Sequence, residues 1–291
     1  MIHLSEVGPR DGLQNEKKNV STEEKVQLIT RLIDAGIQKI EAVSFVNPKI
    51  VPQMADAEEL LMRAPKVEGV EYAGLVLNHA GMERALSTEL PTFHIVTATS
   101  DEFNLRNARK TVAQSVEELT SVISESTQAH KKVVGVLGTA FGCPFSGDVP
   151  VERLLGVAES FVKAGATELT LADTTGLANP LQVQTITQKF RDHFGEDVYL
   201  GLHFHNTRGL GIANVLAGYQ AGIRRFDSSI AGLGGCPFAP KAVGNVCTED
   251  VVNMFHHMNI DTGTDLEKLV ATAGWMQEVM ERPLDGMLMK L

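Results

Sequence analysis

The chain switches period eight times. Short β-type apolar runs recur, and each is followed by a stretch with helical periodicity. The runs are "HLSEVG" from His3, "KIEAVSF" from Lys39, "EYAGLVL" from Glu71, "FHIVTA" from Phe93, "VVGVLGTAF" from Val133, "ELTLAD" from Glu168, "YLGLHFH" from Tyr199 and "RFDSSIAG" from Arg225. Eight strand–helix units in 291 residues match the arithmetic of an α/β TIM (β/α)8 barrel. A doubly wound open sheet is the alternative, but no glycine-rich nucleotide loop follows the first strand. The helices carry their own start and stop signals. "STEEKVQLITRLIDAG" has Ser21 as N-cap, Glu24 three residues on and Gly36 as terminator, a capping box and a C-cap. "VPVERLLGVAESFVKAG" and "NPLQVQTITQKFRDHFG" have proline near the start and glycine at the end. No Pro/Ser-rich or low-complexity linker divides the chain, so one domain over 1–291 is expected, with a helical extension over about 261–291.

A chain that is 43% hydrophobic can bury a large core. Its formal net charge of −10 argues against a nucleic-acid partner, because phosphate binding needs basic patches. The basic pair Lys131 and Lys132 reads as a solvated helix end. Three cysteines, Cys143, Cys236 and Cys247, read as reduced thiols rather than a disulfide framework. The N-terminal "MIHLSEVGPRDG" is polar where a secretory signal needs a basic start and an apolar run, and the C-terminal "MKL" lacks a peroxisomal serine. No apolar run approaches bilayer length. A cytoplasmic protein with no membrane partner is expected.

In such a barrel the active site lies at the C-terminal strand ends. Polar residues gather there: Arg10 and Asp11 after the first strand, Glu41 on the second, Asp173 ending the sixth, His203 and His205 on the seventh, then Cys236 and Asn245 after the eighth. Residues two apart on a strand share a face, so His203 and His205 form either a core pair or half of a metal site. Asp11, His203, His205 and Asn245 make an oxygen- and nitrogen-rich set that suits Mg²⁺ or Mn²⁺ first and Zn²⁺ second. Arg10 and Asp11 are expected to pair poorly, as strand neighbours face opposite ways. Glu41, costly if buried alone, needs Arg10. Cys236 follows a glycine-rich "GLGG" that reads as a mobile loop. His79, His94, His130 and His193, with Cys143 and Cys247, read as surface or packing residues.

The same residues carry a likeness. "EVGPRDGLQNE", "SFVNPKIVPQM", "FGCPFSG", "ADTTGLANP", "HFHNTRG" and "AGLGGCPFAPKAVGN…TED" resemble the signatures of the 3-hydroxy-3-methylglutaryl-CoA lyase family. That resemblance implies Asp11, His203, His205 and Asn245 as ligands of a divalent metal. It also implies Arg10 on the thioester carbonyl, and Cys236 as the catalytic thiol on a lid loop over about 231–245. Gln14, Glu41 and Asp173 would be supporting or substrate-binding residues, and His203 or Asp11 the general base. The implied substrate is an acyl-CoA and the implied assembly a homodimer. The departures are Ala172 before Asp173, Phe145 where tyrosine is common, Asn206 where aspartate is common, and Lys241 in the lid; they bear on the acyl branch more than on the chemistry. A condensing synthase of the same metallo-barrel group and a non-catalytic metal-binding scaffold are the rival readings.

Overall fold

The computed structural model describes residues 1–235 and 244–291. Eight parallel strands close a barrel in sequence order: β1 His3–Glu6, β2 Lys39–Ser44, β3 Glu71–Val76, β4 Thr92–Ala98, β5 Lys132–Gly138, β6 Glu168–Asp173, β7 Tyr199–Phe204 and β8 Arg225–Ser228, with β8 pairing back onto β1. The helices outside are α1 Thr22–Asp34, α2 Ala57–Arg63, α3 His79–Leu86, α4 Asp101–Ala108, α5 Val112–Gln128, α6 Val151–Ala164, α7 Pro180–Phe194, α8 Gly211–Gln220, α9 Thr248–His257 and α10 Leu266–Met280. The capping box at Ser21 forms in both directions, and a second one caps α5 at Thr111. The core between sheet and helices is continuous, with Leu28, Phe93, Ile123, Phe161, Phe190 and Phe255 buried in it. The C-terminal extension is α10, which packs on α1, and a short turn at Leu288–Lys290. No helix among the described residues is long and apolar enough to cross a membrane.

The floor of the barrel corrects one reading. All eight strands begin with a polar residue or a tyrosine: His3, Lys39, Glu71, Thr92, Lys132, Glu168, Tyr199 and Arg225. Lys132 is not a solvated helix end; it bridges Glu168 at 2.6 Å and Glu71 at 3.2 Å. Arg225, 2% exposed, donates to Glu168 at 2.9 Å and to the Leu169 carbonyl at 3.2 Å. Charges of both signs thus neutralise each other at the closed end, which leaves the opposite end for chemistry.

Candidate active site

Three local features aim side chains into the mouth. After β1 the chain makes a single wide turn, Gly8–Gly12, in which the N–H groups of Arg10, Asp11 and Gly12 all converge on the Val7 carbonyl. Such π-type turns occur often at functional sites. This one puts Arg10 and Asp11 on the same side, so their side chains pair at 2.7 Å, against the expectation for strand neighbours. In β2 the register shifts between Glu41 and Val43, a bulge of the kind that re-aims a side chain. Beyond β7, His205 forms an isolated antiparallel bridge with Asn245, and that bridge brings the 244–247 segment over the strand ends.

The result is a continuous polar chain. Glu41, 1% exposed, accepts from Arg10 Nε at 2.7 Å and from Nη2 at 2.5 Å. Its other oxygen lies 2.9 Å from His94 Nδ1. Asp11 accepts from Arg10 Nη1 at 2.7 Å and from Asn245 Nδ2 at 2.8 Å. His94 is therefore part of the site rather than an isolated histidine. Its signal was the same as that of His203, an imidazole inside an apolar strand run.

Asp11, His203 and His205 offer ligand atoms within 4.8 Å of one another. His203 Nδ1 faces Asp227 at 3.4 Å, which leaves Nε2 for an ion and is the usual way a carboxylate orients a ligating imidazole. Burial would lower the basicity of His203, but Asp227 and Asp11 outweigh it and raise its pKa above the usual imidazole value. Burial likewise works against the Asp11 carboxylate, yet Arg10, His203, His205 and the Asn245 N–H hold its pKa at about 2. Asn245 Oδ1 is buried with no hydrogen-bond partner among the described residues. An orphaned buried oxygen beside a carboxylate and two imidazoles fits a divalent ion, so all four expected ligands are gathered in one place.

The supporting residues divide. Gln14 keeps its Oε1 buried and unpartnered among the described residues. Asp173 accepts from Leu177 N–H at 2.7 Å and shapes the β6–α7 loop; burial raises its pKa to about 6. Phe145 packs against Phe103 and under Arg106 of α4. Asn206 accepts from Gly211 N–H, the first of α8, at 3.0 Å. Cys236 and Lys241 lie outside the described residues, but the stretch leading to them is buried from Ala231 to Gly234.

Two buried carboxyls escaped the sequence. Glu6 and Glu249 are both 0% exposed, and burial raises their pKa values to about 7 and about 8. Between the unfolded value of 4.5 and about 8 the folded protein holds a proton on Glu249 that the unfolded chain has lost, so this group makes stability fall as pH rises. Glu249→Gln keeps an acceptor for the Ala231 N–H and removes the titration. Measured by denaturant melts in chelator, the variant should gain on the wild type by up to ~1.4 kcal/mol per pH unit across that window. A difference that stays flat from about pH 5 to 8 would contradict the assignment.

The fold and these side chains define a barrel with three side chains at its mouth that could hold a divalent metal ion. Comparison with known proteins gives the lineage. The HMGL-like family model matches residues 1–275. The hydroxymethylglutaryl-CoA lyase of Bacillus subtilis is 40% identical over 97% of this chain and 94% of its own. The (R)-citramalyl-CoA lyase of Chloroflexus aurantiacus is also 40% identical, over 99% of this chain and 94% of its own. A solved HMG-CoA lyase from Acinetobacter baumannii, in complex with coenzyme A and 3-methylmalate, is 41% identical with a TM-score of 0.95, covering 100% of this chain and 94% of that one. The chain belongs to the HMGL-like family and is a carbon–carbon lyase.

Proposed function

We propose that the enzyme cleaves 3-hydroxy-3-methylglutaryl-CoA, or a close 3-hydroxy-3-alkyl analogue, to acetyl-CoA and a keto acid such as acetoacetate. The observation that carries this is Arg10, locked by Glu41 and Asp11 directly beside the Asp11–His203–His205 triad. Asp11, His203, His205 and Asn245 would hold Mg²⁺ or Mn²⁺, with Zn²⁺ as second choice; the carboxylate and amide oxygens favour the harder ions. When bound, such an ion acidifies a substrate hydroxyl and fixes its orientation.

The protein groups then divide the proton transfers. With Nδ1 facing Asp227 and Nε2 given to an ion, His203 would have no lone pair left. Asp11 has two oxygens and takes the hydroxyl proton, a transfer its low basicity allows only because a bound ion would acidify that hydroxyl. The C2–C3 bond breaks as the hydroxyl-bearing carbon becomes a ketone, and the bonding pair passes to the thioester as an enolate. Arg10 spends three of its five N–H groups on Glu41 and Asp11, so two remain for the enolate oxygen. The Cys236 thiol gives its proton to C2 and completes acetyl-CoA.

Beyond His94 the interior wall carries apolar side chains. His94 and Val134 are register partners, as are Val96 and Val136, so strand alternation turns all four to the interior. Val96 and Val136 stay partly exposed there, next to a wall that includes Leu75 on β3 and Ala172, the register partner of His203. An alkyl branch on the carbinol carbon suits this wall. Phe145, packed on α4, is not needed to explain it.

A panel of branched 3-hydroxyacyl-CoAs, including citramalyl-CoA, assayed for acetyl-CoA release tests the proposal. The 3-hydroxy-3-alkylglutaryl thioesters should turn over best, and Cys236→Ser should bind them while releasing little acetyl-CoA. A preference for citramalyl-CoA would overturn the substrate, net condensation would favour the synthase reading, and inertness towards every thioester would favour the scaffold. A homodimer and a cytoplasmic location belong to the same reading, and sedimentation and cell fractionation test them.

A further inference from the structure

Glu6 ends β1 inside the wall of the barrel, with none of its surface exposed. One oxygen accepts from Gly8 N–H at 2.8 Å and from Ile230 N–H at 2.9 Å. The other accepts from Thr248 Oγ at 2.6 Å. The three donors sit on three separate segments. Gly8 begins the turn that carries Arg10 and Asp11. Ile230 begins the turn after β8. Thr248 is the first residue of α9, three positions beyond Asn245.

The turn after β8 and the start of α9 share two backbone hydrogen bonds, Ser229 N–H to the Val246 carbonyl at 3.0 Å and Thr248 N–H to the Ser229 carbonyl at 3.1 Å, and Glu6 adds the Gly8 turn to that pair. The turn after β8 puts Ala231, a residue with a β-carbon, at φ +54°, a left-handed conformation that persists only where its surroundings over-determine it. Its two N–H groups at Ile230 and Ala231 are gripped by Glu6 and Glu249. Leu233, at the far end of that turn, accepts from Asn245 Nδ2 at 3.0 Å, and the same amide reaches Asp11 at 2.8 Å. The fit is close on the other side as well: a β-carbon on Gly8 would stand 2.6 Å from Glu6 Oε1, and one on Gly12 would stand 2.9 Å from Leu233 Cβ. An apolar side chain in place of Glu6 would avoid the desolvation penalty but leave two backbone N–H groups buried and unpaired.

We propose that Glu6 is a positioning residue for the ion site: one buried carboxylate ties the turn bearing Asp11 to the segment bearing Asn245 and so fixes the distance between two ligands from opposite ends of the chain. It rests on the reading of Asp11 and Asn245 as ligands. Glu6 itself touches neither ion nor substrate.

The test separates ion affinity from stability, in the full chain. Calorimetric titration with Mn²⁺ gives the dissociation constant, and melting in excess chelator gives the stability of the ion-free fold. Glu6→Leu, which leaves the Gly8 and Ile230 N–H groups without their acceptor, should weaken Mn²⁺ binding ~10-fold or more, the scale seen when a group that orients a metal ligand is lost. Glu6→Gln, which keeps that acceptor, should weaken it less. Thr248→Val, which removes one of the three donors, should move the constant in the same direction by less, and Thr248→Ser should restore it. If Glu6→Leu does not fold, Thr248→Val against Thr248→Ser gives the answer alone. A lowered melting temperature in Glu6→Leu with the Mn²⁺ constant within about two-fold of wild type would make Glu6 merely structural and overturn the inference. Wild-type protein that binds no Mn²⁺ would instead overturn the ligand reading itself, and this inference with it.

Discussion

His205→Ala should cost at least about three orders of magnitude in turnover, ~4 kcal/mol of barrier, while the barrel stays folded. His205 is 6% exposed at the open end of the barrel, beyond the last residue of β7, so its removal leaves the strand ladder intact. What it removes is one of the three proposed ligand groups, whose candidate atoms stand within 4.8 Å of each other. Far-ultraviolet circular dichroism should match wild type, and Mn²⁺ titration should show lost binding. Asp11→Asn makes a different cut. It keeps an oxygen for the ion, so part of the binding should survive, but it removes the base. Normal turnover in His205→Ala would sink the metal site, and normal turnover in Asp11→Asn would sink the base.

Arg10→Lys should fail nearly as badly as Arg10→Ala, by about 10²–10³ in kcat, ~3–4 kcal/mol. The guanidinium meets Glu41 with Nε and Nη2 and meets Asp11 with Nη1. A lysine ammonium is a single point with three donors and cannot span both carboxylates while still facing a substrate oxygen. Glu41, 1% exposed, would keep His94 as its neighbour but lose its fixed fork. The loss belongs in kcat because the enolate oxygen carries charge only once the bond is breaking. Wild-type kcat with a raised KM would make Arg10 a binding residue and remove it from the chemistry.

The barrel was legible because period and punctuation agreed: all eight apolar runs became strands, Ser21 and Pro180 opened helices, and Gly165 closed one where expected. The four expected ligands came together because barrel topology brings strand ends to one rim whatever their separation in sequence. Pairing within the rim was less legible. Arg10 and Asp11 pair because a π-type turn replaces the strand assumed for them, and nothing in "GPRDG" announces that turn beyond its proline and glycines. His94 was passed over because alternation says which face a side chain takes, not how near the mouth it lies. Glu6 and Glu249 were invisible for another reason. Their partners are backbone N–H groups and a threonine from distant segments, and such contacts leave no pattern in local sequence. The polar residue opening nearly every strand was a regularity on the page, and it foretold the charged floor that the reading of Lys132 missed.

The most direct measurement is acetyl-CoA release from 3-hydroxy-3-methylglutaryl-CoA by the purified protein, first in excess chelator and then after Mg²⁺ or Mn²⁺ is restored. Release should be absent with chelator, return in full with the ion, and be matched mole for mole by acetoacetate. Undiminished release in chelator, or none at saturating ion, would contradict a metal-dependent lyase built on Asp11, His203, His205 and Asn245.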